Sequence, residues 1–180
     1  MTTVRHNLVL IGMPGAGKST LGRHLAERLG LGFTDTDTLI ESAAGTTLQA
    51  IVDERGHRAL RRLEAEHLVH LRRQGHVIAT GGSAVYSPEA MAALGSDGII
   101  VHLHADLATI RARVTDVDTR GLARAVGQSL EDLYAEREAL YRYYAELSVD
   151  VGPLDMAAGI RAVIAALRDP RAPRLASPLA

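Results

Sequence analysis

Short apolar runs and longer segments of helical period alternate along this chain. Asn7-Leu8-Val9-Leu10-Ile11 is a continuous apolar run ending at Gly12, the pattern of a strand covered on both faces in a parallel sheet. From Lys18 to Leu29, Leu21, Leu25 and Leu29 return every four positions and Gly30 stands where a helix C-cap belongs. Leu31–Asp35 predicts a short second strand, and Thr38 with Glu41 three residues on reads as a capping box opening a helix. Leu60, Leu63, Leu68 and Leu71 share one face of a helix from about 57 to 73. His76–Thr80 and Ile99–Leu103 predict a third and a fourth strand, with a helix near 88–94 between them. Residues 106–113 read as a helix, 115–127 as a polar loop, 130–147 as a long helix, 148–151 as a fifth strand and 155–167 as a last helix. Such alternation predicts an α/β fold, a parallel five-stranded sheet with helices on both faces, since right-handed crossovers leave few other solutions. Beyond Arg168, three of the six prolines fall within eleven residues. Residues 1–168 therefore read as a single domain and 169–180 as a disordered tail.

Composition narrows the chemistry. With 180 residues, 47% hydrophobic and 23% charged, the chain has the make-up of one soluble globular domain. No apolar stretch approaches the roughly 18 to 20 residues of a membrane span, and a cytoplasmic location is expected. The absence of cysteine excludes disulfides, thiolate nucleophiles, zinc–thiolate sites and iron–sulfur clusters. Twenty basic against 21 acidic residues leave a net charge of −1, so no global field draws a nucleic acid or an anionic membrane. Local clusters must carry any anion binding. Every basic residue is Arg except Lys18, which makes that position stand out.

Lys18 closes the run Gly12-Met13-Pro14-Gly15-Ala16-Gly17-Lys18-Ser19-Thr20, a glycine, four residues, then Gly-Lys-Ser, between a predicted strand and a predicted helix. This is the P-loop pattern. Its glycines let successive N–H groups, including that of Ala16, wrap a phosphate, with the helix N-terminus beneath. Lys18 reaches the terminal phosphates, Ser19 ligates magnesium and Thr20 follows in the first turn.

Asp35 and Asp37 stand at the C-terminal end of the second strand, the edge where doubly wound sheets place ligands. Two such carboxylates divide between magnesium and a substrate hydroxyl, or else both cap the following helix. In Arg61-Arg62-Leu63-Glu64 spacing does not decide which arginine faces inward. Gly81-Gly82-Ser83 falls on the same ligand edge and suits either a tight turn or backbone contact with a ligand. By spacing alone, Arg120 and Arg137 are solvated charges. The eight histidines form no metal-binding pattern. His102 and His104 alternate in a strand without a supporting carboxylate cluster, and they read as structural, as Tyr141, Tyr143 and Tyr144 read as packing.

Taken in order, these segments resemble the shikimate kinase family over about residues 7–167. The matching pieces are the P-loop, Phe33-Thr34-Asp35-Thr36-Asp37 with Ile40-Glu41, Leu60–Glu64, Ala79-Thr80-Gly81-Gly82, Arg120 and Arg137–Tyr141. The resemblance implies a P-loop kinase with a mobile lid at about 114–127, using ATP and Mg2+ to phosphorylate a small carboxylated polyol. By matched position, Asp37 would bind the acceptor hydroxyls and orient or deprotonate the acceptor. Arg61 and Arg137 would hold the carboxylate, and Gly81 and Gly82 would lie against the substrate. Asp35 would support magnesium through water, Arg120 would swing in on the lid to the γ-phosphate, and Arg113 would pack on adenine. Ser83 stands where the family has a third glycine, Arg120-Gly121-Leu122-Ala123 where it has Arg-Pro-Leu-Leu, and Val52 and Leu60 where it has aromatic pocket residues. The late adenine-contacting Arg has no counterpart around 151–155. These departures bear on the acceptor, so a kinase of the same build acting on another hydroxy acid or polyol is a second expectation, and a nucleotide-binding regulatory module a third.

Overall fold

In the computed structural model, residues 4–114 and 123–176 are described. The strands are β1 (Val4–Arg5), β2 (Asn7–Ile11), β3 (Gly32–Asp35), β4 (His76–Ala79), β5 (Gly98–His104), β6 (Leu147–Asp150) and β7 (Arg174–Leu175). The helices are α1 (Lys18–Leu29), α2 (Thr36–Ala44), α3 (Leu48–Arg55), α4 (His57–Val69), α5 (Pro88–Asp97), α6 (Leu107–Arg113), α7 (Leu130–Tyr144) and α8 (Met156–Leu167), with one 3-10 turn at Ala84–Tyr86. None is long and apolar enough to cross a membrane among the described residues.

Five strands form one parallel sheet in the order β3-β4-β2-β5-β6. The unbroken apolar run of β2 is explained by its place. Leu8 pairs with Val77 on one side and Ile99 on the other, and Leu8, Val9, Leu10 and Ile11 are fully buried. From β2 the chain steps left to β3 and later right to β5. Right-handed crossovers thus put α1 on the face opposite α5 and α7, and α8 packs back on α1. The reversal opens a crevice beyond the C-terminal end of β2, where open sheets of this type bind ligands.

Local chemistry sets the boundaries. Gly30 ends α1 in the left-handed conformation (φ 65°), donating its N–H to the carbonyls of Ala26 and Glu27. The capping box expected at Thr38 does not form. Asp35 leaves β3 in an extended conformation and caps α2 three residues earlier, accepting from the N–H groups of Asp37 (3.0 Å) and Thr38 (3.4 Å). Glu41 instead accepts from the N–H of Leu48 at the start of α3, a helix not foreseen from the sequence. The long helices stop earlier than expected, α4 at Val69 and α7 at Tyr144.

The tail is corrected over its first part. Residues 169–173 turn, with the Ala172 N–H on the Asp169 carbonyl, and Arg174–Leu175 run parallel to Val4–Arg5. Ala172 is buried and Leu175 packs on the main core, so the prolines here shape a turn into a strand. Residues 177–180, and 115–122 of the expected lid with Arg120, lie outside the described residues. The flanks of that segment are anchored. Val114 is buried against the P-loop, and Ala123 belongs to a small second core with Ile40, Ile51 and Leu60.

Candidate active site

The P-loop joins β2 to α1 at the sheet's reversal point. Gly12 adopts φ 146°, and a Cβ there would lie 2.5 Å from the Leu103 carbonyl oxygen, so conformation and close approach to β5 both demand glycine. Lys18 is the first residue of α1 and is buried, with Nζ donating to the carbonyls of Gly12 (2.7 Å) and Met13 (2.9 Å). Burial lowers its pKa to about 8, opposed chiefly by the Asp37 carboxylate. Ser19 and Thr20 follow, exposed at the cavity wall.

Across the cavity, the two aspartates divide their work. Asp35 is tied to the start of α2 through Oδ1, whereas Asp37, in the first turn, lines the cavity. Burial raises the Asp37 pKa to about 6, with Lys18 pulling it down and Asp35 pushing it up. Glu64 reaches the same place from α4. It is 3% exposed, and burial raises its pKa to about 7, reinforced by the nearby Asp37 charge. The Ser83 hydroxyl donates to Glu64 Oε2 in a short hydrogen bond, while Oε1 has no hydrogen-bond partner among the described residues.

Gly81 and Gly82 form the floor between these groups. A Cβ on Gly81 would collide with the Glu64 carboxylate and lie 2.6 Å from Asp37 Oδ1, and one on Gly82 would lie 2.6 Å from Arg137 Nη1. Each glycine therefore brings backbone against charged side-chain ends that would have to shift to admit a Cβ. Arg137, on α7, is only 1% exposed; Nη2 donates to the Ala123 carbonyl (3.1 Å), and Nε has no partner among the described residues. Tyr141, one turn on, donates its hydroxyl to the Gly82 carbonyl at 2.7 Å.

The ambiguity in Arg61-Arg62 resolves by helical phase. Arg62 is exposed, while Arg61 is half-buried, donating through Nε (3.2 Å) and Nη2 (2.9 Å) to the Ala123 carbonyl with Cζ 3.6 Å over the Tyr86 ring. Arg113, at the end of α6, flanks the P-loop, bonded to the carbonyls of Gly15 (3.4 Å) and Gly152 (3.0 Å). The structure thus gathers Lys18, Ser19, Thr20, Asp37, Gly81, Gly82 and Arg137 around one cavity of about 280 Å3. Arg61 stands on Tyr86 outside its lining, and Arg113 on the far side of the loop. Sequence reasoning gave Glu64 no role, although it falls between Leu60 and Leu68 on the buried stripe of α4. Tyr86 had no local signal.

A phosphate-wrapping loop facing buried carboxylates and a buried guanidinium across a small cavity defines a P-loop kinase for a small anionic acceptor. The model of the family described as shikimate kinase matches residues 14–168. Shikimate kinases from Francisella tularensis subsp. novicida and Stenotrophomonas maltophilia are both 39% identical to this chain. The first aligns over 80% of this chain and 84% of its own length, the second over 82% and 83%. The solved shikimate kinase from Acinetobacter baumannii, in complex with shikimate, superposes with a TM-score of 0.81 at 32% identity, covering 91% of this chain and 92% of its own. The chain belongs to the shikimate kinase family.

Proposed function

We propose that this chain transfers the γ-phosphoryl group of ATP to a hydroxyl of shikimate, giving shikimate 3-phosphate, as a cytoplasmic monomer. The observation that carries this reading is Arg137. A guanidinium buried this deeply, with an Nε that has no partner among the described residues and the P-loop across the cavity, calls for an anionic acceptor, and a fixed fork suits a carboxylate.

The work of each residue is read from its matched place in the family's motifs and, for the described residues, is supported by where it stands. The P-loop amides and Lys18 hold the transferred group, and the phosphate charge offsets the cost of keeping an ammonium buried. Asp37 binds the acceptor hydroxyl and takes its proton. A carboxylate poised near pH 6 is ionised at neutral pH yet basic enough for that transfer. Arg137 and Arg61 grip the substrate carboxylate, and Gly82 brings backbone against the ring. Arg120 meets the γ-phosphate from the lid, and Arg113 packs on adenine. The oxygen donors suit Mg2+: the exposed Ser19 hydroxyl would hold it directly and Asp35 through water, since Asp35 keeps an oxygen beyond the one that caps α2. When bound, that ion neutralises charge on the β- and γ-phosphates.

Ser83 bears on the choice of acceptor. Its hydroxyl is committed to Glu64 and the residue is buried, which supports shikimate over an acceptor that recruits this serine. ADP release measured over shikimate, acyclic hydroxy acids and gluconate-like polyols tests the reading. Turnover is expected with shikimate in clear excess. Background turnover with shikimate beside robust turnover of another acid would overturn it, and ADP release indifferent to every acceptor would point to a regulatory module.

A further inference from the structure

We propose that His102, His104 and Glu138 form a binding site for one transition-metal ion of the zinc type, behind the P-loop and separate from the kinase cavity. Alternation along β5 puts residues 102 and 104 on the same face of the sheet, and α7 lays Glu138 across it. One ligand atom from each of the three residues falls within 4.8 Å of the others. His102 Nε2 lies 3.5 Å from Glu138 Oε2, and His104 Nδ1 lies 3.0 Å from Glu138 Oε1. Around a tetrahedral zinc with bonds of about 2.0 to 2.1 Å, neighbouring ligand atoms stand about 3.3 Å apart, close to both histidine–carboxylate distances, and the set, within 4.8 Å overall, would draw in around an ion.

The supporting shell is present as well. His102 Nδ1 is 3.2 Å from the Ser148 hydroxyl on β6, which fixes the ring and leaves Nε2 facing Glu138. The ring stacks on Tyr141 with centroids 5.3 Å apart, and the His104 ring meets it edge-on at 5.7 Å. His104 Nδ1 is a buried atom with no hydrogen-bond partner among the described residues. Its approach to Glu138 is close but lacks the alignment of a hydrogen bond. A nitrogen and an oxygen that converge without bonding each other are arranged for a third atom between them.

Two imidazoles and one carboxylate select Zn2+, Co2+ or Ni2+ over Mg2+ and Ca2+, which want all-oxygen shells. His104, 24% exposed, leaves the side from which an ion and one water ligand enter. The competitor is Arg142, whose Nε is 3.0 Å from Glu138 Oε1. Its side chain is 70% exposed, so it is a weakly held partner that an ion displaces. Occupancy would tie β5 to α7 one residue from Arg137.

The test uses untagged full-length protein, stripped of metal and free of nucleotide, titrated with Co2+ by visible absorption and with Zn2+ by calorimetry. One equivalent is expected to bind, with a tetrahedral Co2+ spectrum and without competition from millimolar Mg2+. His104→Ala and Glu138→Gln should each remove that spectrum, and Ser148→Ala should weaken binding roughly 10-fold. Arg142→Gln should tighten binding, a gain of function that misfolding cannot mimic. His104→Ala should keep its Mg2+- and ATP-dependent kinase activity. Absence of binding by the folded wild type would overturn the proposal, as would a Co2+ spectrum that survives His104→Ala.

Discussion

Arg61 on α4 and Arg137 on α7 donate to one and the same oxygen, the carbonyl of Ala123. Both guanidinium groups also lie over Tyr86, with Cζ 3.6 Å and 5.6 Å from the ring centroid. A neutral carbonyl between two cations is a weaker acceptor than a carboxylate. Under the proposed function the substrate's carboxylate would compete with the segment bearing Ala123 for the same donors.

Arg137→Ala should act mainly on the acceptor's KM, through loss of a carboxylate contact worth roughly 2 to 5 kcal/mol if fully desolvated. Arg137→Lys should recover little, because an ammonium does not present the fork. Arg120→Ala should show the opposite signature, a loss in kcat larger than the rise in KM, as its proposed contact is with the transferring group. Steady-state kinetics on all three check this, and exchanged signatures would show that clamp and lid have been misplaced.

Lys18→Met should abolish turnover while circular dichroism stays unchanged, since the substitution removes a point charge from the phosphates and little packing. Lys18→Arg should also be poor. Nζ sits between the carbonyls of Gly12 and Met13, a space too tight for a planar guanidinium. Retained turnover in either variant argues against the P-loop assignment.

Stability should fall as pH rises through the range in which Glu64 and Asp37 ionise. Burial raises their folded-state pKa values to about 7 and about 6 from ordinary values of 4.5 and 3.8. Between pH 4 and 7 the folded chain therefore binds more protons than the unfolded one, and the slope of unfolding free energy with pH is negative. Glu64→Gln should flatten that slope and raise stability at pH 8 by one to a few kcal/mol, on the order set by its shift. Thermal melts across pH 4.5–8 measure it, and identical slopes for wild type and variant would refute the assignment.

Ser83→Gly should leave kcat/KM for shikimate within a few-fold, because the floor made by Gly82 survives. It also deletes the hydroxyl that lowers the Glu64 pKa. The midpoint of the pH-dependent stability change should therefore move to higher pH. A loss of 10-fold or more, the size of one hydrogen bond of about 1 to 3 kcal/mol, would show that the serine hydroxyl serves the acceptor directly.

What the sequence made legible was local. The apolar run of β2, the glycines and Lys18 of the P-loop, and the Gly30 cap each depend on neighbours a few residues away, and each stands where its pattern predicts. The Thr38 capping box failed because Asp35, equally local, starts the helix at Thr36 and takes the Thr38 N–H that Glu41 would have received. Helix α3 has only eight residues, too few turns for its Leu48, Ile51 and Val52 to announce a period. The β1–β7 pair, the meeting of Arg61 and Arg137 at Ala123 and their stacking over Tyr86 join positions far apart in the chain, which no spacing rule reports. The carboxylate that completes the His102–His104 pair likewise arrives from another element.

The central strand of the sheet precedes its hydrogen-bonding partners in the chain by a long stretch of sequence. Leu8 waits for Val77 on one edge and for Ile99 on the other. Until β5 has left the ribosome, the most apolar strand of the protein has at least one bare edge, the kind of surface on which nascent chains aggregate. N-terminal fragments ending before residue 98 should therefore be insoluble, and productive folding must follow the emergence of the second half of the chain.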